Sequence, residues 1–197
     1  ARFMLANLNG FVPEEDALPS DQLLALDYWI VRQCLLLQDE VVNHYHSYNF
    51  LSVYQKIHNF CVTELGGFYL DVIKDRQYTT QVDSRARRST QTAMLQVVEM
   101  LSRMIAPILS FTADEIWQHI PGDRVDSVFL SDFEEGYSAL EESGEFDDAF
   151  WRRILEVKTA VNRELEVQRA EKTVGSGLSA EVDLFCDGQL ADDLARL

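Results

Sequence analysis

Lys74, Arg76, Arg85, Arg87 and Arg88 are the side chains whose type and spacing best support chemistry, and that chemistry is anion binding. Between positions 74 and 103 these five and Arg103 outnumber Asp75, Asp83 and Glu99, within a chain of formal net charge -16. On a helix, Arg85 and Arg88 share a face. Three arginines in a first helical turn sit at the positive end of the macrodipole, so local helix stability does not explain them. An anion must compensate them. Phosphate is one candidate, because guanidinium groups grip it bidentately and in a strongly salt-dependent way. The other is the acid-rich stretch 123–148, with ten acids and Arg124 as its lone base. Composition alone favours that internal partner.

Signals for bond-making chemistry are weak. Glu40 with His44 and Glu115 with His119 are spaced four apart, but neither the Glu-x-x-His of a carboxylate-bridged metal bundle nor the His-Glu-x-x-His of a zinc protease occurs. Solvent-facing pairs along a helix are the expectation for both. Gly175-Ser176-Gly177-Leu178-Ser179-Ala180 spells G-x-G-x-x-A, yet it follows helical sequence and opens a strand pattern, the reverse of a dinucleotide site. Cys34, Cys61 and Cys186 are odd in number and far apart, fitting neither a disulfide framework nor a zinc site, and they suggest a reducing compartment. No catalytic residue and no metal ligand is assigned.

The elements that would position the basic residues are helical. Leu23, Leu26, Ile30, Cys34, Leu37, Val41, Tyr45 and Tyr48 form a stripe that predicts a helix of roughly 40 Å from Ser20, its expected N-cap. A second stripe runs from Phe50 to Phe68 and is weakened or bent at Gly66-Gly67. A third covers Ser84 to Ile105, with Ala93, Val97, Leu101 and Met104 or Ile105 inward, and Pro107 breaks it. Thr112 and Glu115 have the spacing of a capping box, with Phe111 and Ile116 placed for a hydrophobic staple. Helical period returns from Phe150 to about Lys172, and Ala180–Phe185 alternates like a strand. Trp29, Trp117, Trp151 and most Phe and Tyr lie on or beside these stripes and are expected in the core.

The expected architecture is therefore mainly α, an elongated helical bundle with the start of a small C-terminal α/β unit. Residues 1–172 form the helical domain, with an acidic surface excursion at 123–148, and residues 173–197 begin the second unit. With 197 residues, 47% of them apolar, a disordered tail is excluded. Net charge argues against a generic polyanion binder and confines any nucleic-acid role to a local patch. No apolar run has membrane-span length. The chain opens at Ala1 inside helical sequence and reads as a piece of something longer.

Two strings carry a family resemblance. Phe68-Tyr69-Leu70-Asp71-Val72-Ile73-Lys74-Asp75-Arg76-Gln77-Tyr78 is one; Ala106-Pro107-Ile108-Leu109-Ser110-Phe111-Thr112-Ala113-Asp114-Glu115-Ile116-Trp117, followed by Pro121-Gly122, is the other. With the opening Ala1–Phe11 and the stretch Lys172–Ala180, they resemble the C-terminal, anticodon-binding helical domain of bacterial isoleucyl-tRNA synthetases, which are class I synthetases. The second string is shared in looser form by the valine and leucine enzymes; the first points to isoleucine. One departure is Tyr28, between Asp27 and Trp29, where the family usually has Arg. The resemblance implies a cytoplasmic parent that joins isoleucine to its tRNA through an aminoacyl-adenylate, using ATP and Mg, monomeric and without a membrane partner. It implies zinc only in a C-terminal segment absent from this sequence, as are the catalytic and editing domains. Under it, this chain grips the anticodon stem and loop of isoleucine tRNA, with Lys74, Arg76, Arg85, Arg87 and Arg88 on tRNA phosphates. The contrasting reading is an acidic helical protein-interaction scaffold with no nucleic-acid role, and a carboxylate metalloenzyme would need a buried cluster of acids and histidines.

Overall fold

A computed structural model describes residues 1–134, 146–175 and 179–197. The chain folds as two compact units, Ala1–Leu140 and Glu141–Leu197. In the first, α1 (Arg2–Asn7) and α2 (Pro13–Asp16) precede α3 (Ala25–His46), α4 (Phe50–Asn59), a π-helical segment (Phe60–Tyr69), α5 (Leu70–Val72), α6 (Lys74–Thr79), α7 (Arg85–Ile105) and α8 (Ser110–Gln118). In the second, α9 (Asp148–Ala170) is followed by α10 (Gly188–Leu194).

The first unit is built on α3 and α7. Asp27 meets Ser89 near their N-terminal ends, and the Tyr45 hydroxyl donates to Met104 O at 2.7 Å near their C-terminal ends, so the two run parallel. The α4 and π-helical rod returns along α3, tied by Lys56 to Glu40 at 2.7 Å and by the edge-on packing of Trp29 on Phe68. Ile30, Cys34, Leu37, Val41, Val53, Phe60, Ala93, Val97 and Met104 make the core, as their periodicity predicts. All three tryptophans are buried, whereas Tyr48, Tyr54, Tyr78, Phe111 and Phe185 are exposed despite their place on or beside stripes.

Four local expectations are corrected. The first long helix begins at Ala25, and Ser20 opens a 3-10 turn instead of capping it. Leu23 and Leu24 are extended so that the Leu24 N–H reaches Ser89 Oγ at 2.8 Å, a tertiary bond that outcompetes helix propagation. The helix is thus 22 residues, about 33 Å. The capping box is not formed: α8 starts at Ser110, leaving Thr112 inside it and Phe111 93% exposed. The chain turns directly out of α7 through Leu109 N–H to Ile105 O, and Ser110 Oγ donates back to Ala106 O, so the helix is already under way before Thr112. Residues 180–185 form no strand, because the described residues hold no second strand for them to pair with; Ala180–Leu184 line a groove along α9 instead. Glu40 pairs with Lys56 rather than His44, whereas His119 Nδ1 and Glu115 O do form the expected exposed hydrogen bond along the helix.

Gly66-Gly67 does more than bend a helix. It lies in ten π-helical residues closed by bonds such as Leu70 N–H to Leu65 O. A Cβ on Gly66 would stand 2.8 Å from Cys61 O, and one on Gly67 2.8 Å from Val62 O. The wider turn lets the successive residues Phe68 and Tyr69 both point inward, onto Trp29 and Asp27. Gly to Ala in an ordinary exposed helix stabilises by about 1 kcal/mol. Here the sign reverses: Gly66→Ala is expected to lower the unfolding free energy by about 1 kcal/mol or more in urea titration, since the carbonyl must move.

Candidate nucleic-acid interface

The basic island is held by a buried carboxylate. Asp27, 0% exposed, receives the Ser89 hydroxyl at 2.6 Å and the Tyr69 hydroxyl at 2.7 Å, and Arg76 Nη1 lies 3.3 Å from it. Thr90 Oγ1 stands 3.4 Å away, nearer to its helical acceptor Ala86 O at 3.0 Å. One side chain thereby joins the start of α3, the end of the π-helical segment, α6 and the start of α7. Burial pushes the Asp27 carboxyl above its ordinary value of 3.8 despite the donors and the Arg76 charge, and burial with the adjacent Asp27 charge pushes the Tyr69 phenol up as well.

The polar run Ser89-Thr90-Gln91-Thr92 is entirely buried, an unusual content for the inward face of a helix. Ser89 accepts from Leu24 N–H while donating to Asp27; Thr92 Oγ1 accepts from Leu18 N–H at 3.0 Å while donating to Arg88 O; Gln91 Nε2 donates to Asn7 O at 3.0 Å. These bonds satisfy backbone groups of Asn7, Leu18 and Leu24 and lash the segment before α3 to α7. Ser84 caps α7 by accepting from Arg87 N–H.

The five predicted cations fall into different settings. Arg76 is turned inward onto Asp27. Arg88 is also turned inward: Nη2 meets Asp16 at 2.8 Å, Nη1 donates to Gln91 Oε1 at 3.1 Å, and the guanidinium lies over the Phe11 ring. Lys74 is exposed and pairs with Asp71 one turn back at 2.8 Å, an exchangeable surface contact of small worth. Arg85 is exposed, and its Nε and Nη2 both donate to Gln22 O, a carbonyl that leaves its charge uncompensated. Arg87 has no side-chain ion pair or hydrogen bond among the described residues, and its Nε is buried without an acceptor.

The described part of the acidic stretch meets Arg103 of the basic region but none of the five candidate cations. Glu134 lies 3.5 Å from Arg103, and Arg124 bonds Glu99 at 3.0 Å, with both guanidinium groups about 5 Å from the Trp117 ring centre. Asp123 N–H donates to Glu14. Residues 135–145 lie outside the described residues. Among the described residues no three His, Cys, Asp or Glu side chains come together as metal ligands. Burial pushes the Cys34 thiol well above its ordinary value, the setting of an unreactive core cysteine. No helix among the described residues is long and apolar enough to cross a membrane.

A family model described as the anticodon-binding domain of tRNA ligase matches residues 27–184, beginning at the buried carboxylate itself. The chain belongs to this family of anticodon-binding domains. Over all 197 residues the domain is 58% identical to an isoleucine–tRNA ligase of Pseudomonas fluorescens (strain Pf0-1) and 57% identical to one of Ectopseudomonas mendocina (strain ymp). An isoleucine–tRNA ligase of Stutzerimonas stutzeri (strain A1501) is 56% identical. The domain spans 21% of the length of each of these relatives. Its helical bundle agrees with the expected mainly α architecture.

Sequence reasoning missed Asp27 as the hub. A signal was present: an acid inside an otherwise apolar stripe, matched by the polar run 89–92 on the facing helix.

Proposed function

We propose that this anticodon-binding domain holds the anticodon stem and loop of isoleucine tRNA for a cytoplasmic isoleucine–tRNA ligase whose catalytic part aminoacylates the distant acceptor end with ATP and Mg. The observation that carries the reading is Arg85 and Arg87, two guanidinium groups without a carboxylate partner among the described residues at one end of α7, in a chain with nearly twice as many acids as bases. Phosphate is the anion that suits them. Arg85, Arg87 and the exchangeable Lys74 make the phosphate contacts; Arg76 and Arg88 position them through Asp27 and Asp16. Phosphate contacts set register, and base reading requires groups on splayed loop nucleotides.

Ribonuclease footprinting of an isoleucine tRNA transcript tests this. Protection confined to the anticodon arm is expected. Protection of the acceptor arm, or none from the folded domain, contradicts it, and the second result favours the acidic protein-interaction scaffold.

A further inference from the structure

A second set of uncompensated arginines lies on α9, in the C-terminal unit. Arg152 and Arg163 are eleven residues apart, so on an α-helix they come back to within about 20° of one face, about 16 Å apart along the axis. Both are exposed, and both line one shallow hollow of ≈ 440 Å³ with Leu155, Glu156, Thr159 and Ala160. Neither has an ion-pair or hydrogen-bonded side-chain partner among the described residues. Their neighbours differ: Arg153 is held by buried Asp193 of α10, and Arg169 by Glu166. With 33 acids for 17 bases, internal pairing would be the default fate of an exposed arginine. Two that escape it on one face, with a hydroxyl and a small side chain between them, make a surface complementary to a charged backbone rather than to a single ion. Glu156 is the one acid on the stripe and opposes that complementarity.

We infer that α9 presents a second RNA-backbone contact, with Arg152 and Arg163 on phosphates of the bound tRNA. This rests on the tRNA-binding reading above and adds a surface on a different element. The match of the family model extends across α9, so the helix is part of the domain.

The test is a salt titration of binding to an isoleucine tRNA transcript by the whole 197-residue chain, by Arg152→Gln/Arg163→Gln, by Arg85→Gln/Arg87→Gln and by Glu156→Gln. Two lost phosphate contacts make the slope of log K against log salt shallower by roughly 1.4–1.8 and weaken binding about ten-fold near 0.1 M salt. That result is expected for the α9 double variant. Glu156→Gln is expected to tighten binding, a gain that a folding defect does not imitate. An unchanged slope in the α9 variant, alongside a shallower one for Arg85→Gln/Arg87→Gln, overturns the α9 contact while leaving the tRNA reading standing. Failure of the unaltered chain to bind overturns both.

Discussion

Asp27→Ala is expected to lower the unfolding free energy by about 3–5 kcal/mol, the cost of leaving a half-buried guanidinium and two buried hydroxyl donors without their acceptor. Arg76, Tyr69 and Ser89 all lose their shared carboxylate at once, at the point where α3, α6 and α7 meet. Urea titration followed by circular dichroism measures this, and a loss below about 1 kcal/mol, the net worth of one ordinary hydrogen bond, contradicts the hub. Asp27→Asn keeps the shape and isolates the charge. Because the folded-state pKa is raised, the native chain binds more protons than the unfolded chain between the ordinary value of 3.8 and the raised one. The stability that the Asp27 carboxyl contributes relative to the amide of the Asp27→Asn variant is therefore fully present below the ordinary carboxylate range and declines as pH rises through the raised pKa. A difference that instead grows with pH would show that the Arg76 pair, rather than burial, governs this carboxyl.

The second large effect separates contact from positioning. Arg85→Ala/Arg87→Ala is expected to weaken tRNA binding about ten-fold near 0.1 M salt and to flatten the salt slope, with thermal stability nearly unchanged. Arg76→Ala leaves Asp27 buried without its cation, so its loss of binding follows its loss of folded protein, and the slope measured on the folded fraction keeps the unaltered value. Equal slope changes in both variants would place Arg76 on the RNA and contradict the division of labour. Measuring stability and slope on the same samples makes the distinction.

The long helices were legible because their apolar positions repeat at the helical period and Pro107 marks where one of them stops. What was not legible depends on distant partners. Ser20 is a sound local cap, but a bond from Leu24 to Ser89, 65 residues away, decides where α3 begins. The T-x-x-E box at Thr112 fails because the turn out of α7 starts the helix earlier, and the pattern 180–185 fails as a strand because pairing requires a neighbour. The basic island was legible as composition. Which of its members face an acid of the fold and which keep a free charge was not, since Arg76 and Arg88 look like Arg85 and Arg87 until Asp27 and Asp16 are placed beside them.

The most direct test of tRNA recognition is binding of this chain to an isoleucine tRNA transcript and to the same transcript with its anticodon exchanged, each across a salt titration. The account predicts salt-dependent binding that favours the native anticodon. Equal, salt-insensitive binding to both transcripts, or none from a demonstrably folded chain, would contradict it.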